Sequence, residues 1–215
     1  MTAVCLTQNI ADRGKAFIQT RSGRAFWPLD PKPEDIDIHD IAFSLAQQVR
    51  YAGHIDGYNV AQHSVVVSYH TSTKDRLWGL LHDLTEAYLG DVPSPIKRTP
   101  QMYEYRVAEA RLMEAGCIRF GLPLSEPKSV KRADAAVLAA EIRDLMQPWI
   151  GRDDLSAPIA DRIEVWSRHR SEWAFLKRYM ELSGDQSVLY SPRMEELYRL
   201  VDLEEKFQQY IKGQS

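Results

Sequence analysis

The sequence predicts an all-α fold in a single domain. Apolar residues recur at steps of three and four along most of the chain, proline and glycine separate these periodic segments, and no central run alternates as a strand does. At 215 residues the chain is long enough to bury a substantial core. We therefore expect one helical bundle over residues 1–215, with a core at about 27–180, an N-terminal arm at 1–26 and C-terminal helices at 160–215.

The N-terminal third contains a short mixed segment and then the first helix. Residues 1–26 suggest a small ribbon or an arm, and Pro28, Pro31 and Pro33 make the following stretch a stiff, irregular entry. From Asp37 onward, apolar residues lie on one face of a helix. Their positions are Ile41, Ala42, Leu45, Ala46 and Val49.

Two polar residues are placed to cap the next helices. Asn59 precedes a helix that carries His63, and Asp75 precedes a helix that carries His82 and ends at Gly90. A proline-stiffened loop, VPSPIKRTP, follows. Longer helical segments are predicted over 102–115, about 126–146, a stretch around 166–180, and 195–210.

The composition excludes several classes of protein. Hydrophobic residues make up 44% of the chain and charged residues 27%, which is typical of a globular domain, and the net charge of −3 disfavours a nucleic-acid polymer as partner. Cys5 and Cys117 lack a C-x-x-C spacing, so neither a disulfide framework nor a thiolate zinc site is expected. Without a signal segment or an apolar run near the roughly 20 residues of a membrane span, we expect a cytoplasmic protein with no membrane partner.

Two imidazoles and two carboxylates, each within an otherwise apolar helical pattern, form a candidate ligand set for a catalytic transition metal. They are His63, His82, Asp83 and Asp134. Burying even one of them without a partner would cost several kcal/mol, and a shared divalent cation would remove that cost. On a continuous helix Glu86 would fall angularly between His82 and Asp83, one turn further on, close to the metal but outside the ligand set.

Each of these residues also has a possible role that needs no metal. His63 could be a core histidine bonded to a carbonyl, and His82 and Asp83 could be a solvated pair. Asp134 could form a salt bridge to Arg132 or Arg143, and Glu86 could form one to Lys97. Singly, these simpler roles are the better explanation. Together, at helical spacing on inward faces, the residues favour the metal site. Of the other histidines, His39 is interpreted as a helix-entry residue, and His70 and His169 as structural or exposed.

The order H…HD…D of the four candidate ligands resembles that of the HD-domain metal-dependent phosphohydrolases, over about residues 27–141. Within it, HDLTEAYLGDVPSPIK (82–97) is similar to bacterial 5′-deoxynucleotidases of that superfamily. LDPKPEDIDIHDIAFSLAQQVRYAGH, followed by YNVAQHSVVVS, is similar to small phage HD enzymes that hydrolyse dATP. The order H…HD…D marks only the superfamily, whereas its combination with E-x4-D-x-P-x-P-x-K is more specific.

The resemblance implies a divalent-metal-dependent phosphohydrolase acting on deoxyribonucleotides, either a 5′-monophosphate nucleotidase or a dNTP (dATP) triphosphohydrolase, and a homo-oligomer. The ligand set suits one Co, Mn, Fe, Ni or Zn ion better than Mg, although Mg could accompany a triphosphate substrate. A metal-bound water would attack the phosphoryl group, with Glu86 as general acid or base. Asp91 resembles a family residue that orients this water; its alternative role is to accept from backbone amides of the proline loop.

Arg50, Tyr51, His54 and Lys97 are the candidate substrate contacts. Family members place residues that read the sugar and base at the end of the first long helix, where Arg50 and Tyr51 stand. The arginine can fork onto a phosphate or sugar hydroxyl and the tyrosine can stack on a base. A salt bridge to Asp56 is the competing role for Arg50. His54 and Lys97 could meet a phosphate, the lysine as a mobile point charge or, alternatively, as an exposed loop end.

Two other classes of function compete with an enzyme: a non-catalytic nucleotide-binding or signalling module on the same scaffold, and a purely structural helical protein. A non-catalytic module usually lacks one of the metal ligands or the glutamate. A structural protein would bury these polar groups with no compensating interaction. Between mono- and triphosphate substrates, the decisive property is how many cations face the phosphates. The candidates are Arg50, Lys97, Arg98, Lys131 and Arg132.

Overall fold

The computed structural model describes residues 12–147 and 155–212. Its regular structure is almost entirely helical, which confirms the all-α, single-domain prediction. Part of the predicted arm, residues 1–11 with Cys5, lies outside the described residues, as do 213–215 of the predicted C-terminal helices.

A small antiparallel ribbon precedes the helices, as predicted for the N-terminal segment. It pairs β1 (Ile18–Gln19) with β2 (Ala25–Phe26), and Ile18 lies opposite Phe26. The α-helices are α1 (Ile38–Gln47), α2 (Val60–His70), α3 (Arg76–Leu81), α4 (Glu86–Leu89), α5 (Ser94–Lys97), α6 (Tyr103–Phe120), α7 (Lys128–Leu145), α8 (Arg168–Ser183) and α9 (Pro192–Lys212).

Helix α2 lies at the centre of the bundle. It packs against α1, α3, α7 and α8, and α8 in turn packs against α1 and α9. The main core takes fully buried residues from the ribbon and from helices α1, α2, α3, α6, α8 and α9. They include Phe26, Ile41, Leu45, Val60, Leu80, Leu81, Leu112, Phe175 and Met194. Because α2 is surrounded, His63 on it is completely buried. None of the helices in the two described ranges is long and apolar enough to cross a bilayer.

Only one of the two predicted caps forms. The Asn59 side chain accepts from the Gln62 amide at 3.0 Å and so begins α2. Asp75 precedes α3 but makes no capping hydrogen bond. Its carboxylate instead accepts from the hydroxyls of Ser72 and Ser129 at 2.7 and 2.5 Å, which ties the start of α3 to α7.

The helix predicted from Asp75 to Gly90 is interrupted in the middle. Helix α3 ends at Leu81, and residues 82–85 form tight turns before α4. The amides of Leu84 and Glu86 bond to carbonyls three residues back, each at 3.0 Å, where an α-helix would use the fourth. The continuous-helix geometry expected for His82, Asp83 and Glu86 is therefore wrong in detail.

Gly79 lies where α3 approaches α2 closely. A Cβ atom at this position would stand 2.6 Å from Thr71 Oγ1 and 3.3 Å from the backbone Cα of Ser68. Gly79→Ala is therefore expected to lower the free energy of unfolding by about 1–3 kcal/mol, measured by urea denaturation, although alanine ordinarily favours a helix. The control is Arg111→Ala on the exposed face of α6, expected to change it by less than about 0.5 kcal/mol. Equal stabilities would contradict this close packing.

Candidate metal centre and active-site cavity

The four predicted metal ligands come together from three parts of the chain. His63 lies on α2, His82 and Asp83 follow α3, and Asp134 lies on α7. The two Nε2 atoms are 3.3 Å apart. Asp83 Oδ2 is 3.8 Å from His63 Nε2 and 3.3 Å from His82 Nε2. Asp134 Oδ1 is 3.1 Å from His63 Nε2 and 4.0 Å from His82 Nε2. His63, His82 and Asp83 have donor atoms that all lie within 4.8 Å of one another, and Asp134 adds a carboxylate oxygen beside the two histidines.

The other nitrogen of each imidazole is already engaged. His63 Nδ1 lies 2.5 Å from Glu141 Oε1, and His82 Nδ1 lies 2.8 Å from the carbonyl oxygen of Gly79. Both partners are acceptors, so each Nδ1 carries the hydrogen in the neutral ring and each Nε2 carries the lone pair. Two lone pairs facing each other beside two carboxylates would repel unless a cation or a proton lay between them.

The protonation of the cluster shows this demand for positive charge. Burial and Arg50 act to lower the pKa of His63, yet Glu141 and Asp134 outweigh them and raise it to about 9. Burial acts to raise the pKa of Asp134, but its hydrogen bond to His63 and the charges around it hold this pKa well below its usual range. A proton on His63 therefore supplies charge that a divalent ion would supply instead. The nitrogen and oxygen donors fit a transition metal such as Zn, Co, Mn, Fe or Ni.

The simpler role proposed for Asp134, a salt bridge to Arg132 or Arg143, is not what the structure shows. Within the described part of the chain, its carboxylate contacts the histidine pair, whereas Arg143 pairs with Asp144 at 2.6 Å. His70 and His169 stand away from the cluster, paired with Asp161 at 3.1 Å and with Glu204 at 2.8 Å.

A cavity of about 1090 Å³ opens over the cluster. Its lining includes His82, Asp83, Asp134 and the two predicted catalytic carboxylates, Glu86 and Asp91. The lining also includes apolar side chains, among them Trp78, Met113, Leu124, Leu138, Ile142 and Met146. A ligand that combines an anionic group with an aromatic or apolar group matches this mixed lining.

Glu86 is a buried carboxyl with an unused oxygen. Its Oε1 lies 3.8 Å from Lys97 Nζ, and its Oε2 has no hydrogen-bond partner among the residues that the structure describes. Burial first, and then the charges of Asp83 and Asp91, raise the pKa of Glu86 well above its ordinary value. These conditions favour the protonated form of Glu86 at the cavity wall. Because the carboxyl is buried, it does not form the surface pair with Lys97 that was the alternative.

Gln48, which the sequence did not single out, links the two catalytic candidates. Its side-chain amide donates to the Glu86 carbonyl oxygen at 2.9 Å, and its oxygen accepts from the Asp91 amide at 2.9 Å. The alternative role of Asp91, a carboxylate bonded to amides of the proline loop, has no hydrogen bond among the described residues to support it. Burial raises the pKa of Asp91.

Arg50 and Tyr51 lie beyond α1, which ends at Gln47, and not at the end of the helix as expected. Arg50 Nη1 is 3.7 Å from Asp83 Oδ2 and Nη2 is 3.3 Å from Glu141 Oε2, so Glu141 and Asp83 take the place of the expected competitor Asp56. The Tyr51 hydroxyl donates to Glu141. The candidate sugar-and-base corner therefore contacts the candidate ligand Asp83 directly and reaches His63 through Glu141.

The cavity wall contains three of the five candidate cations, Arg50, Lys97 and Arg98, together with His54 and the unpredicted Arg106. Lys131 and Arg132 are exposed and are not among the lining residues. Lys97 Nζ binds Glu109 Oε1 at 2.7 Å, so it is part of the wall and not an exposed loop end. Arg106 donates to the carbonyl oxygens of Lys97 and Thr99, each at 2.7 Å, and so holds the proline loop in place.

Comparison with known proteins shows relatives but no activity. No protein-family model matches the chain. It is 40% identical over 131 residues to the uncharacterized protein YfdR of Escherichia coli (strain K12), an alignment that covers 60% of this chain and 72% of YfdR. It is 39% identical over 129 residues to the uncharacterized protein RCAP_rcc00048 of Rhodobacter capsulatus, covering 55% of this chain and 65% of that protein.

Proposed function

We propose that this chain, which belongs to the same family as YfdR of Escherichia coli, is an HD-domain, divalent-metal-dependent phosphohydrolase of deoxyribonucleotides. One observation carries the proposal. Both histidines of a four-residue donor cluster have Nδ1 engaged and Nε2 turned to the same point. The cavity beside them is lined by Glu86, whose Oε2 has no hydrogen-bond partner among the described residues.

The ion would be held by His63, His82, Asp83 and Asp134. When bound, it would supply positive charge for a phosphoryl oxygen and lower the pKa of water at the site. Glu86 would hold a proton on the buried carboxyl and deliver it to the leaving oxygen as a water oxygen bonds to phosphorus and the phosphate ester bond breaks. The proton lost by that water would restore the carboxyl.

The mixed lining of the cavity supports a nucleotide as substrate. Lys97, whose Nζ is 3.8 Å from Glu86, and Arg98 both line the cavity and can receive a phosphate. Trp78 and Met113 are among the apolar lining residues, which can accept a base. Because nucleoside mono- and triphosphates both carry phosphate and a base, the proposal covers both the nucleotidase and the triphosphohydrolase reaction.

A phosphate-release screen tests the proposed function. Common ribo- and deoxyribonucleotides are incubated with the purified protein and Co, Mn, Ni, Zn or Mg, and phosphate is resolved from triphosphate among the products. We expect metal-dependent release from at least one deoxyribonucleotide, and none from the His82→Ala variant. Binding of nucleotides without any turnover would replace the proposal with a signalling module, and neither binding nor turnover would remove the nucleotide altogether.

Deoxyribonucleotides are expected to be the better substrates because the Tyr51 hydroxyl is already committed to Glu141. A ribose 2′-hydroxyl packed at this corner could not accept from Tyr51, and a buried acceptor left unpaired costs about 1–3 kcal/mol. We therefore expect kcat/KM for a deoxyribonucleotide to exceed that for its ribonucleotide by about 5- to 150-fold. Equal values for the two members of a pair would contradict the preference.

A further inference from the structure

Glu141 on α7 is the most heavily bonded carboxylate near the cavity, although it lies outside the predicted ligand set. It is completely buried. Its Oε1 is 2.5 Å from His63 Nδ1 and accepts from the Tyr58 hydroxyl at 2.7 Å. Its Oε2 accepts from Arg50 Nη2 at 3.3 Å and from the Tyr51 hydroxyl. The residue therefore joins α2 to the corner formed by Arg50 and Tyr51.

Every group around this carboxylate is a hydrogen-bond donor. A buried carboxylate is costly unless it is paired and fully bonded, and here one guanidinium and three further donors satisfy it. Because the Arg50 guanidinium can only donate and the other three groups are placed to donate, both oxygens of Glu141 act as acceptors, which determines what its neighbours must do.

The oxygen facing α2 determines which nitrogen of His63 is free. Since Oε1 requires a hydrogen on Nδ1, the lone pair of the neutral ring is on Nε2, the atom that faces His82, Asp83 and Asp134. Without that acceptor the ring can place its hydrogen on Nε2 instead, and a protonated nitrogen cannot bind a metal.

Oε2 of Glu141 faces the corner formed by Arg50 and Tyr51, where the backbone has an unfavourable conformation. Tyr51 and Ala52 have φ angles of 56° and 51°, in the left-handed region that residues other than glycine rarely adopt. The Tyr51 hydroxyl and the Arg50 guanidinium are both anchored on Oε2. The turn that presents these two side chains is therefore maintained by the same carboxylate that orients His63.

We propose that Glu141 is a positioning residue with two separable tasks: Oε1 keeps His63 Nε2 available to the metal, and Oε2 holds the Arg50–Tyr51 corner in place. The proposal rests on the metal site of the proposed function, but it requires no turnover. It can be measured with the metal alone.

Glu141→Gln gives the most direct test. The amide keeps the size of the side chain, but its NH2 group must face a donor whichever way it is placed, because both sides of Glu141 are surrounded by donors. We expect the affinity of the metal-free protein for Co²⁺, followed by absorption spectroscopy during titration, to fall by about 10–100-fold. Glu141→Asp, which restores a carboxylate, should recover part of the loss. Equal Co²⁺ affinities for the wild type and Glu141→Gln would overturn the first task.

Two single-hydroxyl variants separate the tasks and keep the proposal testable if Glu141→Gln does not fold. Tyr58→Phe removes a donor from Oε1 and is expected to weaken Co²⁺ binding. Tyr51→Phe removes one from Oε2 and should leave Co²⁺ affinity close to the wild-type value. Hydrogen exchange gives the opposite pattern. The amides of Gly53 and His54, which bond to Arg50 and Tyr51 carbonyls, should exchange faster in Tyr51→Phe and not in Tyr58→Phe.

The outcomes distinguish this proposal from the proposed function. If both tyrosine variants change Co²⁺ affinity and exchange alike, the two tasks are not separable and the proposal is wrong. A wild-type protein that binds no Co²⁺ would overturn the proposal together with the metal site. Hydrolysis absent from a wild type whose Co²⁺ affinity depends on Glu141 as expected would remove the proposed function and support the positioning role.

Discussion

Glu86→Gln is expected to lower kcat by about 10²–10⁴-fold, which corresponds to roughly 3–5 kcal/mol of barrier. The amide preserves the shape of the buried side chain but cannot hold or release the proton that burial favours on the carboxyl. Glu86 lies outside the ligand cluster, so the metal content and the unfolding transition should stay close to those of the wild type. The loss should appear in kcat while KM changes little, as steady-state kinetics on the best substrate of the screen would show.

Glu109→Gln is the matched control for this variant. It makes the same change of carboxylate to amide in the wall of the same cavity, where Glu109 binds Lys97 at 2.7 Å. Because Glu109 positions a substrate-facing cation and handles no proton, its loss should raise KM more than it lowers kcat. If Glu86→Gln loses its metal, Glu86 is a ligand. If its activity is unchanged, another group handles the proton, and Asp91 is the next to test.

The sequence was sufficient to predict the helices and the closeness of the four candidate ligands because both leave a local signal. An apolar period of three to four residues marks each helix, and a polar side chain on the apolar face of such a helix is conspicuous. His63 and Asp134 stood out in this way, and the structure brings them within 3.1 Å. The turns at 82–85 had no such signal, since neither glycine nor proline occurs among these four residues.

Interactions between distant parts of the chain were the ones that the sequence could not specify. Arg50 was given the nearby Asp56 as its competing partner, whereas it reaches Glu141, 91 residues away. Glu141 shares the inward stripe of α7 with Asp134, two turns earlier, and that spacing was the available clue. Its role depends on four donors that arrive from other segments, so no local pattern reveals it.

His82→Ala is expected to remove the metal almost completely, from about one ion per chain to near none, because a site of few ligands tolerates the loss of one poorly. Metal analysis of the purified variant measures this directly. A bound ion also stabilises the folded state, by about 2.7 kcal/mol when its free concentration is 100 times the dissociation constant. Chelation should therefore lower the Tm of the wild type and leave that of His82→Ala unchanged.

The control for His82→Ala is the same substitution at His70, an imidazole that pairs with Asp161 away from the cluster. His70→Ala should retain both its metal and the response of its Tm to chelation. Asp134→Ala, which removes a ligand from a different helix, should behave like His82→Ala. Because His63 Nε2 faces His82, Asp83 and Asp134 at 3.3, 3.8 and 3.1 Å, removing either partner opens the donor set on one side. Unchanged metal content in both variants would show that the ion binds elsewhere. The side chains of this cluster would then share a proton and not an ion.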